Sequence, residues 1–295
     1  MLIARSILAA GGLVVTVDLP MHTKGLVQNW ARTSSFRPTE YLAPTSKDAL
    51  KELLKNAQAQ KKKIRMRGTG HSWSDICHTD SICLDLRSYP VTCELIADSN
   101  MVRCSGGLKL KELNSYLNQN NRALSILGSV SEQTVAGAMS TGTHGSGKGY
   151  PILSQQIRRL RLLTVDGTER WLSRDKDPDL FSAALVGLGC LGVITEVELA
   201  CEPAFFLEEI AEPISVEALP NQLFADLESE EYLKYWWMPH TDKVQCFRYR
   251  RTNKERTITR VQKFVDEKII NRYVFSSLLA AGRKAPGFIP VFNSF

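Results

Sequence analysis

The chain has 295 residues, 43% of them hydrophobic and 23% charged, with a net charge of +6. That length allows about two domains of roughly 150 residues, and the composition is that of a globular protein with a sizeable core, which excludes a disordered or fibrous chain. The positive charge suits anionic partners such as phosphate-bearing cofactors or acidic membrane surfaces, yet it is spread too thinly to imply nucleic-acid binding.

An N-terminal segment, residues 1–26, carries an apolar run at 7–17 that follows Arg5 and stops at Asp18. The run is long enough for a signal peptide's apolar region and too short to span a bilayer, so a targeting segment and a buried first strand both fit it. Residues 27–41 are mixed and aromatic and end in a strand-like Tyr41-Leu42-Ala43. Pro44-Thr45-Ser46 then opens a helix, with Thr45 as its expected cap and Leu50, Leu53, Leu54 and Ala57 along one face. Lys61, Lys62, Lys63, Arg65 and Arg67 are expected to close that helix, where cations suit the dipole. Ile64-Arg65-Met66-Arg67 alternates like a half-buried strand and runs straight into Gly68-Thr69-Gly70-His71-Ser72. Glycines let such a turn approach a ligand closely, and its successive N–H groups form a nest for an anion such as pyrophosphate. His71 stands at the mouth of that nest.

Further along, strands are expected at 82–86, 92–97, 101–104, 161–165, 168–172, 193–201, 205–210, 232–237 and 243–251, with an Asp166-Gly167 hairpin turn. Helices are expected through Leu110, Leu113 and Leu117, over 179–186 behind Pro178, over 216–227, and from Arg260 onward. Strands and helices alternate without a strict βαβ rhythm, so the expected class is α+β, with a domain boundary near Ala204. Seven cysteines, an odd number, form no disulfide framework in a chain this long. Cys77-His78 with Cys83 lacks the paired spacing of a zinc site, so reduced thiols and no metal are expected.

Two more glycine-rich segments stand out. Residues 128–147 are rich in Ser, Thr and Gly, but Val130, Val135, Ala136, Ala138 and Met139 make the segment apolar enough for burial, where its hydroxyls would need partners. Gly187-Leu188-Gly189-Cys190-Leu191-Gly192 leads into the strand at 193; a helix C-cap with a tight turn explains it as well as a ligand does. Three separated loops, each beside a strand, suit one extended dinucleotide. They match neither the G-x-G-x-x-G fingerprint of a βαβ unit nor a Walker loop.

Residues 67–75, 127–147 and 189–199, in this order and spacing, resemble the flavoproteins of the vanillyl-alcohol oxidase type, and among them the aldonolactone oxidases. Gln28-Asn29-Trp30 and Trp237-Met238-Pro239-His240 belong to the match, which extends over about 27–249. The resemblance implies a two-subdomain FAD-binding domain at 27–203, followed by a partial substrate domain at 204–295. It implies that Arg67, Gly68, Thr69, Gly70, His71 and Ser72 contact the pyrophosphate, and that His71 carries FAD covalently at C8α. Ser129, Thr134, Gly137, Ser140, Gly142 and Thr143 would line the flavin, with Gly189, Gly192 and Ile194 nearer the adenosine. His144 would either touch the cofactor or satisfy a backbone group. Gly128 takes the place of a bulkier alanine in relatives that avoid oxygen, and so reads as an oxygen gate.

The implied reaction is oxidation of an aldono-1,4-lactone by O2, giving H2O2 and an ascorbate-type product. An alditol or other sugar oxidase of the same fold, and a non-catalytic FAD-binding fragment, are the alternatives. The family's His-Trp-x-Lys and Glu-x-Arg motifs do not occur here: His240 is followed by Thr241, and Glu255-Arg256 lacks the spacer. The chain therefore reads as a truncated form, with its catalytic residues unassigned. The apolar, basic stretch after Arg260 fits a helix lying on a membrane, as in family members of the endoplasmic reticulum or mitochondrion; a core helix in a cytoplasmic protein fits it too.

Overall fold

The computed structural model describes residues 25–238 and 241–254, and beyond these 257–259, 261, 262, 265, 270, 273–285 and 287. The run at 7–17, His240, the Glu255-Arg256 pair and much of the stretch after Arg260 lie outside the described residues. The architecture is mixed α+β, in two compact units. One runs to Gly145 and resumes over Tyr150–Ala204; the other holds Ser146–Gly149 and the chain from Phe205 onward.

The first unit begins with two short paired strands, β1 (Val27–Gln28) and β2 (Ser35–Phe36). A parallel three-stranded sheet follows, in which β5 (Ile82–Asp85) lies between β3 (Glu40–Leu42) and β4 (Ile64–Arg67). Helix α1 (Lys47–Ala59) is the crossover that joins β3 to β4, the two outer strands of this parallel sheet. Its apolar stripe, Leu50 and Leu54, packs on Leu84 and Leu86 of the sheet and on Leu163 and Val193 beyond it. Ser46, rather than Thr45, caps α1: its hydroxyl accepts the Ala49 N–H at 3.1 Å. The expected cationic helix end is also corrected, because α1 stops at Ala59 with no basic residue in its last turn. Lys62 lies past that end and pairs with Glu40 at 2.5 Å.

The second sheet is antiparallel, in the order β10 (Glu169–Ser173), β9 (Ile157–Leu163), β11 (Val193–Ala200), β7 (Met101–Ser105), β6 (Cys93–Leu95). Gly167 supplies the left-handed residue of the β9–β10 turn, with φ +83°. Helices α2 (Leu110–Gln119), α3 (Val135–Ser140) and α4 (Pro178–Leu185) bury Leu113, Leu117, Met139 and Phe181 against the sheet residues Leu160, Leu162 and Val197. One further pair, β8 (Arg122–Ala123) with β12 (Glu202–Pro203), ties the end of α2 to the end of β11.

In the second unit β15 (Lys243–Thr252) lies between β13 (Phe206–Ser215) and β14 (Tyr232–Trp237), all antiparallel, with α5 (Leu219–Ser229) beside them. The core of this small unit is partly ionic. Asp226 of α5 is buried and receives the Arg248 Nε at 2.8 Å, the Gln222 amide at 2.8 Å and the Tyr235 hydroxyl. Burial raises the carboxyl pKa, but the hydrogen bonds from Arg248, Tyr235 and Gln222 outweigh it and hold the group at about 2. Among the described residues, no helix is long and apolar enough to cross a membrane.

Removing one partner of a buried, hydrogen-bonded pair strands the other charge. Asp226→Ala is therefore expected to destabilise the protein by about 3 kcal/mol, read by denaturant unfolding. The carboxyl's folded pKa lies below its unfolded value, so the stabilisation of the wild type is present near neutrality and is lost as pH falls from about 4 toward about 2.

Candidate FAD site

Four loops of the first unit converge on one cleft, the kind of concave surface that takes a small molecule. The first is the turn after β4, where Gly68 to Ser72 form one wall. Gly70 has φ +78°, a left-handed conformation that favours glycine, and the Arg67 guanidinium lies 2.6 Å from where a Cβ would stand. Arg67 folds beneath the turn and donates through Nη2 to the Gln28 carbonyl at 2.8 Å and through Nη1 to the Tyr41 hydroxyl at 3.5 Å. Tyr41 in turn donates to Asp85 at 2.5 Å, and Arg87 grips the same carboxylate through Nε and Nη2. Burial, and then the Asp85 charge, drive the Tyr41 phenol well above its ordinary pKa, so it stays a donor. Both arginines line the cleft. Two guanidiniums with one carboxylate between them suit an anion such as a pyrophosphate.

His71 lies on the cleft wall with its ring stacked on Trp30, the centroids 5.2 Å apart and the planes 27° from parallel. Its pKa is below the ordinary 6.5, chiefly because burial disfavours the cation; the Glu132 charge opposes that shift and Lys109 adds to it. The imidazole is accordingly neutral at pH 7 and keeps a ring nitrogen with a free electron pair. Lys109 and Lys111 both pair with Glu132, at 3.3 and 2.7 Å.

The remaining walls come from Gly106 and Gly107 after β7, from Gln133 to Thr141 around α3, and from Leu188 to Ile194 before β11. They stand almost in contact with one another. A Cβ on Gly106 would lie 2.3 Å from the Ile194 carbonyl oxygen, and one on Gly107 would lie 2.4 Å from that of Leu86. A Cβ on Gly192 would come within 2.6 Å of the Leu163 carbonyl oxygen, and one on Gly68 within 2.3 Å of the Thr134 hydroxyl. Thr134 caps α3, its hydroxyl accepting the Gly137 N–H at 3.3 Å. The cleft is thus walled largely by backbone, with apolar Met66, Leu86 and Ile194 beside hydroxyls of Thr69, Ser72 and Ser140. Flat apolar surface next to backbone donors and two cations fits a flavin ring joined to phosphates.

Comparison with known proteins agrees. Residues 38–173 match the family model described as FAD binding domain, and residues 197–295 match that of D-arabinono-1,4-lactone oxidase. Over these two segments the chain is similar to the aldonolactone oxidases. It is 37% identical over 228 residues to L-gulonolactone oxidase of Mus musculus, covering 77% of this chain and 52% of that protein. With the Bos taurus L-gulonolactone oxidase the identity is 34% over 268 residues, 91% of this chain and 60% of the relative. With D-arabinono-1,4-lactone oxidase of Saccharomyces cerevisiae it is 32% over 238 residues, 79% of this chain and 45% of the relative. The chain thus spans about half the length of the curated relatives it matches. Its fold is similar to that of cholesterol oxidase from B. sterolicum, with a TM-score of 0.73 at 17% identity, over 95% of this chain and 59% of that one.

FAD is accordingly the cofactor that the matched domain takes, and this cleft is its candidate site. Of the residues singled out in the sequence, Arg67, Gly68, Thr69, Gly70, His71, Ser72, Thr134, Gly137, Ser140, Gly189, Gly192 and Ile194 line it together. Ser129, Gly142, Thr143 and His144 are not among its lining residues. Ser129 and His144 are exposed, and the His144 ring meets the Gly145 carbonyl at 2.9 Å. The segment 128–147 is therefore buried only in part, through α3 and its flanks, while Leu127 and Val130 reach solvent. Gly128 packs on Thr143, whose Cγ2 would stand 2.8 Å from an added Cβ.

Sequence reasoning did not assign Gly106-Gly107, Arg87 or Gln133 to the site. The Gly-Gly pair at a strand end was the available signal for the first of these; Arg87 and Gln133 carry none.

A methyl group at Gly106 must displace the Ile194 backbone, so Gly106→Ala is expected to cost about 1–3 kcal/mol and to weaken FAD retention. Gly142 has open space around its Cα and only its φ of +73° to oppose a side chain. Gly142→Ala is therefore expected to cost about 1 kcal/mol. Thermal unfolding of the two variants, with flavin absorbance per protein, measures both.

Proposed function

We propose that this chain is the FAD-holding part of an oxidase that converts an aldono-1,4-lactone with O2 into an ascorbate-type product and H2O2. The observation that carries the reading is the single cleft formed by the three glycine-rich segments, in a chain whose relatives are L-gulonolactone and D-arabinono-1,4-lactone oxidases. The bound FAD would take two electrons and two hydrogens from the lactone's C2 carbinol and yield them to O2, forming H2O2. The chain's own residues bind and orient. Residues 27–203 form the FAD-binding domain, and 204–295 belong to the domain that meets the sugar. Gly68 to Ser72, with Arg67, hold the pyrophosphate, and Thr134, Gly137 and Ser140 flank the flavin ring. Gly189, Gly192 and Ile194 lie toward the adenosine.

In this reading His71 is the covalent attachment point, at the flavin C8α. Three features support it: its place on the cleft wall, its uncharged imidazole and the stack that orients it. A nitrogen that must form a bond has to be unprotonated, and burial provides that at neutral pH. In this reading Gly128, packed on Thr143 outside the residues that line the cleft, is the oxygen gate. The apolar, basic chain after Arg260 provides a surface for membrane association.

Four predictions test this. Acid precipitation of the wild type should carry the yellow colour into the pellet, whereas His71→Ala should release its FAD to the supernatant. Because the folded pKa of His71 lies below 6.5, attachment should be pH-independent above that value and slow only as pH falls below it. The chain extended to the length of its relatives should take up oxygen with aldonolactones and much less with xylitol. Gly128→Ala should lower peroxide formation at least several-fold, and equal uptake with xylitol would assign an alditol oxidase instead.

A further inference from the structure

Trp30 is 63% exposed, yet the residues around it are closely fixed. Its own N–H donates to the Gly70 carbonyl at 2.7 Å, and the Asn29 side-chain amide donates to the Ser72 carbonyl at 3.2 Å. Arg67 reaches back to the Gln28 carbonyl at 2.8 Å, so three consecutive residues are tied to the loop that carries His71. The turn is braced from within as well. The Asn29 side-chain oxygen accepts the N–H groups of Thr33 and Ser34 at 3.0 and 3.3 Å, and its amide meets the Thr33 hydroxyl at 2.9 Å. All of this rigid backbone delivers one large ring onto the face of one imidazole.

A tryptophan placed to fill a core would be buried, and this one leaves most of its surface in water. A histidine held by a hydrogen bond gives up one ring nitrogen to its partner. A histidine held by stacking has its plane fixed while both nitrogens stay at the edge, available for chemistry.

We propose that Trp30 is a positioning residue: on the Gln28-Asn29-Trp30 clip it fixes the plane of the His71 imidazole, so that a ring nitrogen is presented to the flavin C8α. This role rests on the reading of His71 as the attachment point. Attachment joins an imidazole nitrogen to C8α. The imidazole N–H proton and one C8α proton go to water, and the electron pair left on the flavin passes to O2, giving H2O2.

Two measurements on histidine-labelled protein and its flavin test the role. In the wild type the His71 Cε1–H resonance, assigned by its loss in His71→Ala, should sit upfield under the Trp30 ring current. It should move toward the position of an unstacked histidine in Trp30→Ala and stay shifted in Trp30→Phe. In parallel, Trp30→Ala should bind FAD but accumulate acid-stable flavin roughly two- to tenfold more slowly than the wild type, with Trp30→Phe restoring the rate. An unmoved His71 resonance, or attachment at the wild-type rate in Trp30→Ala, overturns the proposal. So does loss of all FAD, bound and attached alike, from a folded Trp30→Ala, which would make the clip a general brace. Wild-type flavin released wholly by acid would instead overturn attachment at His71 and this role with it, a result distinct from any change confined to Trp30→Ala.

Discussion

The cleft depends on backbones packed against backbones. Gly106 against the Ile194 carbonyl, Gly107 against that of Leu86, and Gly192 against that of Leu163 bring loops from different strands closer than any Cβ would permit. The consequence is steric: glycine walls keep side chains out of the way and leave room for a long, flat cofactor. The two layers that carry these loops, the parallel sheet under α1 and the antiparallel sheet under α2, α3 and α4, each have their own apolar cluster. The rigidity of the cleft follows from cores that lie behind it.

Charge is handled differently in the two units. Behind the glycine turn after β4, Arg67, Tyr41, Asp85 and Arg87 form a short chain of hydrogen bonds that fixes the turn from below and leaves the wall positive. In the smaller unit, Asp226 and Arg248 neutralise each other inside, satisfied by Tyr235 and Gln222. The first arrangement serves a ligand; the second holds a helix to a three-stranded sheet too small to be held by apolar burial alone.

Local elements were largely legible in the sequence because their causes are local. Alternation marked β4, the leucine spacing marked α1 and α2, and Asp177-Pro178 marked the start of α4. The errors came where neighbouring residues of similar chemistry compete. Thr45 and Ser46 can both cap a helix, and the backbone chose Ser46, which adopts the extended φ and ψ a cap requires. Charge alone makes Lys61 to Arg67 one cationic helix end, but its members have separate fates: Lys62 reaches Glu40 of β3, and Arg67 is buried under the glycine turn. Both depend on contacts made far along the chain, which local charge patterning does not encode.

By itself the sequence determined that three glycine-rich loops exist, that each adjoins a strand, and that a histidine follows the first. Glycine content and strand alternation are properties of short segments, and these segments carry them in full. Only the tertiary structure decided that the loops share one cleft, that Gly106-Gly107 and Arg87 complete it, and that Ser129 and His144 point to solvent. It alone placed Trp30 on His71, across a gap in sequence that β3, α1 and β4 must fold to close. The reason is the same in each case: side-chain direction at a loop is set by what the loop packs against, and here that partner is always another strand's end.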